Sequence, residues 1–291
     1  MSRVEGRPAD VAPIMAEVHK NAGRAHVIGL TGVPGSGKST LVHAMAKAIR
    51  ARGKTVGIVA VDPSSPYSGG AILGDRVRMS DLSTDEGVFI RSLATRGALG
   101  GLARAALDTV DVLDAAGFDV VLIETVGVGQ DEVDIAEAAQ TVLVVSAPGL
   151  GDGIQAIKAG VLEIADVHVV SKCDKDESSR TVADLKAMLH LGSTVRNRYG
   201  WEVPVLRTSA ETNLGIDDLV DTLEKHRTHL IESGEGAIRK RRILETRILK
   251  TAEDLLRQRI GEGDALDAAV EGTLSGALSP RQAAEELLKN I

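Results

Sequence analysis

The octapeptide Gly32-Val33-Pro34-Gly35-Ser36-Gly37-Lys38-Ser39 constrains this chain more than any other feature. It matches G-x-x-x-x-G-K-[ST] and stands between an apolar run, His26 to Thr31, and a segment of helical character from Lys38 to about Arg52. A backbone that turns through closely spaced glycines directs its N–H groups inward, and the following helix adds a positive dipole end. Gly32, Gly35, Ser36 and Gly37 are therefore candidates to cradle a polyphosphate, with Lys38 neutralising its outer charge and the Ser39 hydroxyl available to Mg2+. Val33 occupies the place where the deviant Walker ATPases carry an extra lysine, which disfavours that branch.

Valine- and isoleucine-rich runs recur along the chain with helix-like segments between them, the signature of a parallel sheet with crossover helices. Strands are expected at His26 to Thr31, Lys54 to Val61, Val88 to Leu93, Asp119 to Glu124, Thr141 to Ser146, Val167 to Ser171 and Val203 to Thr208. The run ending in Glu124 is too continuously apolar for a half-exposed strand and reads as the buried centre of the sheet. Helices are expected at Ala103 to Ala116, Gly153 to Ala165 and Val182 to Leu191. After Gly234 the strand signal ends, and Ala237 to Ile260 places Leu249, Ala252, Leu256 and Ile260 on one helical stripe. The expected architecture is α/β, a P-loop NTPase fold with a mainly parallel central sheet flanked by helices, plus a C-terminal helical arm. The division is a short segment 1–25, a domain 26–233 and the arm 234–291. The run Arg239-Lys240-Arg241-Arg242 reads as a solvated helix face.

Composition excludes several classes of function. With 34 basic and 41 acidic side chains, a net charge of −7 and only five aromatic residues, the chain lacks the basic surface and stacking platforms of a nucleic-acid binder. One cysteine, Cys173, permits neither a disulfide framework nor a thiolate-rich metal site, and it reads as a small buried hydrophobe. No apolar run approaches the ~20 residues of a membrane span, and Met1 to Asp10 has no signal-peptide core. A soluble, cytoplasmic protein with no nucleic-acid or membrane partner is expected.

A phosphate loop does not choose between ATP and GTP. Asp62, Asp75 and Glu124 fall at or after strand ends, at the carboxyl edge of the sheet where α/β proteins bind ligands, and are candidate Mg2+ carboxylates. Glu124-Thr125-Val126-Gly127 resembles the D-x-x-G of GTPases, with the Gly127 N–H facing a γ-phosphate. Ser171-Lys172-Cys173-Asp174 resembles N-K-x-D, in which a carboxylate such as Asp174 accepts from guanine N1–H and its exocyclic amine together. The stem of Lys172 can lie over the base, and Ser209-Ala210 resembles the loop whose N–H groups contact guanine O6. Ser171 stands where the motif has Asn, which places in question the hydrogen bond that braces this loop against the phosphate loop.

Three longer stretches, Val61-Asp62-Pro63-Ser64-Ser65-Pro66, Gly69-Gly70-Ala71-Ile72-Leu73-Gly74-Asp75-Arg76 and Glu124-Thr125-Val126-Gly127-Val128-Gly129-Gln130, resemble the MeaB/ArgK family. These are methylmalonyl-CoA mutase-associated GTPases, chaperones of adenosylcobalamin-dependent acyl-CoA mutases that are typically homodimers. The resemblance covers roughly His26 to Leu230, with a looser likeness of the tail to the family's dimerisation arm. It implies that Gly35 to Thr40 bind the phosphates of GTP or GDP, that Ser39, Asp62, Asp75 and Glu124 surround Mg2+, and that Lys172, Asp174, Ser209 and Ala210 bind guanine. It also implies that Pro148 to Lys158 is a mobile loop in which Asp152 and Lys158 support hydrolysis stimulated by a partner. A nickel- or cobalt-inserting GTPase and a P-loop kinase are the alternatives; the first needs a Cys/His cluster and the second an acceptor pocket, and the sequence signals neither.

Overall fold

The computed structural model describes residues 11–62, 81–94, 104–125, 134–149, 159–175, 177–191, 199–261 and 265–289. It divides into two compact units, Met1–Lys240 and Arg241–Ile291. The first is built on seven strands: β1 His26–Thr31, β2 Val56–Asp62, β3 Val88–Ala94, β4 Val120–Thr125, β5 Thr141–Ser146, β6 Val167–Val170 and β7 Val205–Arg207. All neighbours pair in parallel, in the order β3-β2-β4-β1-β5-β6-β7. β1 and β4 lie in the middle and are buried throughout, as their apolar stretches 27–30 and 120–123 require, with polar residues only at their ends.

The helices of this unit are α1 Val11–Asn21, α2 Lys38–Ala51, α3 Arg104–Ala115, α4 Ala159–Glu163, α5 Ser178–Leu191 and α6 Ile216–Glu232. Alternation along each strand sends side chains to two cores. Val59, Val61, Val121, Ile123, Val142 and Val144 pack with Val110 and Leu113 of α3 and Leu185 of α5. Ile58, Leu122, Leu143 and Val145 face the other way, onto Leu41, Met45 and Ile49 of α2 and Leu219 and Leu223 of α6. The segment 23–25 is held by Asp114, whose carboxylate accepts the N–H groups of Gly23, Arg24 and Ala25.

Helix α7, Glu235–Gly261, begins in the first unit and continues into the second. In the second unit α8, Ala265–Leu274, and α9, Pro280–Lys289, form a hairpin. Its second helix starts on a capping box: Ser279 N–H donates to Gln282 Oε1 at 3.0 Å while Gln282 N–H donates to Ser279 Oγ at 3.3 Å, with Pro280 at the first helical position. Within this unit the expected stripe of α7 is only partly covered, with Leu249 64% exposed and Ala252 exposed, and Leu256 and Ile260 half-buried.

Strand boundaries differ slightly from expectation, because β6 stops at Val170 and β7 is limited to Val205–Arg207. Of the helix expected at Gly153 to Ala165, residues 159–165 fall among the described ones, and the helix there ends at Glu163, two residues earlier than expected.

Candidate functional site

Three loops converge at the carboxyl edge. β1 runs into the phosphate loop, and α2 starts at Lys38 behind Gly37, which caps it in a left-handed conformation (φ 86°) and has no side chain to take up the first helical amides. The entry is sterically fixed: a Cβ on Gly32, whose φ is 135°, would lie 2.1 Å from the Val145 carbonyl oxygen, so only glycine fits. Lys38, 6% exposed, donates to the carbonyls of Gly32 at 2.8 Å and Val33 at 3.2 Å. From the opposite side Lys172 Nζ donates to the Gly35 carbonyl at 2.8 Å, and Ser171 Oγ contacts the Ser36 carbonyl at 2.5 Å. Four carbonyls of the loop are thus turned outward onto side-chain donors. Ser36 is fully buried, and its hydroxyl has no hydrogen-bond partner among the described residues. A polyphosphate fits this cradle, since it demands inward N–H groups, a helix start and an ammonium in one place.

Glu124 lies in register with Leu30 of β1 and Ala60 of β2, one residue before β4 ends, and is 5% exposed. Ser39 Oγ donates to its Oε1 at 2.5 Å. This pairs a hydroxyl and a carboxylate, the oxygen-only donor set that Mg2+ prefers. Asp62 ends β2 at the same edge, paired in register with Ala94. Thr40 is exposed on the first turn of α2. The side chain of Asp62 and the whole of Asp75, Gly127, Asp152 and Lys158 lie outside the described residues.

The base loop follows β6. Ser171, 5% exposed, keeps the brace that its replacement of Asn placed in question, because the shorter side chain still reaches the phosphate loop. Lys172 adopts a left-handed backbone (φ 54°), which turns its side chain back across that loop. Cys173 is buried, its N–H donating to the Thr208 carbonyl at 2.9 Å. The Asp174 carboxylate is held below the usual aspartate range, first by the Ser209 hydroxyl and then by its own backbone N–H. Ser209, 1% exposed, is fixed by its N–H to the Leu214 carbonyl at 2.9 Å, and Ala210 packs on the core under α2. Lys172 therefore meets the phosphate loop, and Asp174 meets Ser209, the residue before Ala210.

The matching family model is that of the methylmalonyl-CoA mutase-associated GTPase MeaB, which covers residues 2–265. The chain belongs to the MeaB family. Among its relatives a protein of Pyrococcus abyssi named as a GTPase is 43% identical over 291 residues, spanning 99% of this chain and 90% of its own length. GTPase ArgK of Escherichia coli is 36% identical over 273 residues, covering 91% of this chain and 81% of its own. A crystal structure described as a LAO/AO transport system kinase aligns with a TM-score of 0.72 at 27% identity, over 99% of this chain and 90% of that one. MeaB-family membership makes the protein a GTPase with a guanine-nucleotide site. No helix among the described residues is long and apolar enough to cross a membrane.

Sequence reasoning missed a second cluster, at the opposite edge of the sheet. Arg239, expected on a solvated face, instead donates to both oxygens of Asp166 at 2.6 Å each and pairs with Glu235. Burial opposes its charge, yet the two carboxylates outweigh it and raise the guanidinium above its ordinary value. Next to this pair a Thr141 hydroxyl links His26 Nε2 at 2.7 Å to His226 Nδ1 at 2.8 Å. Burial lowers His26 to about 3, with Arg227 and His226 adding repulsion, and lowers His226 to about 4 against a partial counterpull from Asp166. Trp201 closes the cluster, its indole N–H on the Asp166 carbonyl at 2.9 Å and its ring 4.7 Å from that of His226. The signal that could have found it is the coincidence of polar residues His26, Thr141 and Asp166 at strand starts that are otherwise apolar.

Proposed function

We propose that this MeaB-family GTPase is a chaperone that binds an adenosylcobalamin-dependent acyl-CoA mutase and uses GTP hydrolysis to gate its cofactor loading, protection or reactivation. The nucleotide half of this reading rests on one observation, the contact of Lys38 and Lys172 with one phosphate loop, with the Ser209-bonded Asp174 two residues after Lys172. Gly32, Gly35, Ser36, Gly37, Lys38, Ser39 and Thr40 take the phosphates; Lys172, Asp174, Ser209 and Ala210 take guanine. Ser39 and Glu124, with Asp62 and Asp75, are the residues that would hold Mg2+, which when bound neutralises phosphate charge. Gly127, Asp152 and Lys158 complete the proposed machinery. The mutase half is supported by the family's description as mutase-associated. The protein works in the cytoplasm as a homodimer, for which the exposed Ile248, Leu249 and Leu255 supply an apolar face; a monomer in light scattering would contradict the dimer.

The test is GTP turnover with and without each candidate mutase. Turnover alone should be slow, since no arginine finger is evident among the described residues, and completion of such a site by one added cation is worth ~10³ to 10⁵ in GTPases. Acceleration by a cobalamin mutase is the expected result. Its absence with every such mutase contradicts the chaperone reading, and transfer of phosphate to an acceptor contradicts hydrolysis.

A further inference from the structure

We infer that Arg24, Arg227 and Lys240 form a docking surface for an acidic segment of a partner protein, on the turn between α1 and β1. Three elements supply the cations: the turn itself, α6 and α7. Arg24 Nη2 donates to the Asn21 carbonyl at 3.4 Å, and Arg227 Nη2 reaches from α6 to the Arg24 carbonyl at 2.8 Å. Lys240 arrives from α7, its Nζ 2.9 Å from the point where a Cβ on Gly23 would lie. With a φ of 112°, Gly23 serves both the backbone conformation and the close approach of the ammonium. Arg24 and Lys240 are exposed and Arg227 is half-buried.

Elsewhere on the same unit basic groups are matched: Lys47 by Asp81, Arg50 by Asp85, Arg52 by Asp221 and Lys54 by Glu224. Arg24, Arg227 and Lys240 have no carboxylate partner among the described residues. Their charge reaches inward too, for after burial Arg227 is the strongest influence lowering His26. The basic run 239–242 therefore divides: Arg239 turns to Asp166, Arg241 pairs with Glu245, and Lys240 joins the two arginines.

The form of the surface selects its occupant. A phosphate group is held best by main-chain amides that converge on it. Here the N–H groups of Gly23, Arg24 and Ala25 are already taken by Asp114, which is 6% exposed beneath the turn. What remains are cationic heads at separate points, beside Asn21, Gly23 and Arg24, and a row of carboxylates matches that spread better than a single anion. One exposed ion pair contributes little, so several must form together. The turn precedes β1 and the phosphate loop follows it, so an occupant here does not compete with nucleotide.

The experiment titrates the full chain with a hexaglutamate peptide and with inorganic phosphate by calorimetry in about 50 mM NaCl, and adds phosphatidylserine vesicles by co-sedimentation. Arg24→Glu/Lys240→Glu reverses two cations of the surface, whereas Arg180→Glu/Lys186→Glu makes the same change in net charge at exposed positions of α5. Hexaglutamate should bind the unsubstituted protein and lose about five-fold or more in affinity with Arg24→Glu/Lys240→Glu, against less than about two-fold with the α5 variant. About 0.5 M NaCl should abolish the binding. No binding of hexaglutamate by the unsubstituted protein would overturn the inference, as would equal weakening in the two variants, which reduces the effect to net charge. Phosphate or vesicles that bind more tightly than hexaglutamate, and are released by Arg24→Glu/Lys240→Glu, would give the surface to a phosphate ligand or a membrane instead and overturn it as well.

Discussion

The two edges of the central sheet hold their polar groups in opposite ways. At the carboxyl edge the polar atoms belong mostly to backbone, turned by glycines at 32, 35 and 37 and braced by Lys38, Ser171 and Lys172. At the amino edge they belong to side chains, His26, Thr141, His226, Asp166 and Arg239, which contact one another across β1, β5, the start of β6, α6 and α7, with only His226 Nε2 of this group's buried atoms left without a hydrogen bond among the described residues. The first arrangement leaves amides available for a ligand and the second leaves little. Ligand-binding capacity should therefore concentrate at one edge and stability at the other, and substitutions at the two edges should separate these properties.

The largest effect is expected from Arg239→Ala. It strips the partner from Asp166 and Glu235, whose side chains are only 7% and 8% exposed. Removing one member of a buried ion pair typically costs about 3–5 kcal/mol, which chemical denaturation would read as a lowered midpoint. The protein that remains folded should bind GDP normally. A variant of unchanged stability, or one that is stable but blind to nucleotide, would break the separation of edges.

Acidification probes the same edge more gently. His226 is neutral in the native protein down to about pH 4, whereas in the unfolded chain it takes up a proton near the ordinary histidine value of 6.5. The unfolded state thus binds more protons between these limits, so stability is complete above about pH 6.5 and falls as pH drops towards 4. At about 1.4 kcal/mol per pH unit for one such group, the loss is on the order of 3 kcal/mol. Denaturation midpoints measured from pH 7.5 to 4.5 should fall on the acid side in the unsubstituted protein. His226→Phe, which no longer protonates, should flatten that fall; an identical profile would remove His226 from the account.

At the carboxyl edge Lys38→Ala removes a buried ammonium while leaving the backbone cradle. Charge-assisted hydrogen bonds contribute ~1.5–3 kcal/mol, so GTP affinity should fall about ten-fold or more with little change in the denaturation midpoint. Calorimetry showing undiminished affinity would place the phosphates elsewhere.

The contrast between edges also explains what could be read without coordinates. The phosphate loop, Glu124 at the end of an apolar strand and Ser171 to Asp174 are local patterns in which spacing of a few residues fixes geometry, so they were legible. Alternation of Val- and Ile-rich runs was likewise sufficient for the parallel sheet. Arg239 was not legible, because its partner Asp166 is 73 residues away and a basic run looks the same whether solvated or clamped. α6 lies outside the helices expected from the sequence, although Asp217 and Asp218 in its first turn and buried Leu219, Val220 and Leu223 carry a helical pattern. The preserved brace at Ser171 was not deducible either, since whether a short hydroxyl spans the gap left by Asn depends on how closely the two loops approach.

The measurement that bears most directly on the central claim is a calorimetric titration of Asp174→Asn against GDP and xanthosine diphosphate, with the unsubstituted protein titrated against GDP and ADP. A carboxylate at position 174 would accept from a guanine amine; an Asn amide instead donates, which suits the C2 carbonyl of xanthine. The unsubstituted protein should bind GDP well over ADP, and Asp174→Asn should reverse its preference towards the xanthosine nucleotide. Equal binding of GDP and ADP by the unsubstituted protein, or a variant that still prefers GDP, would contradict the assignment of Ser171 to Asp174 as the guanine-reading loop.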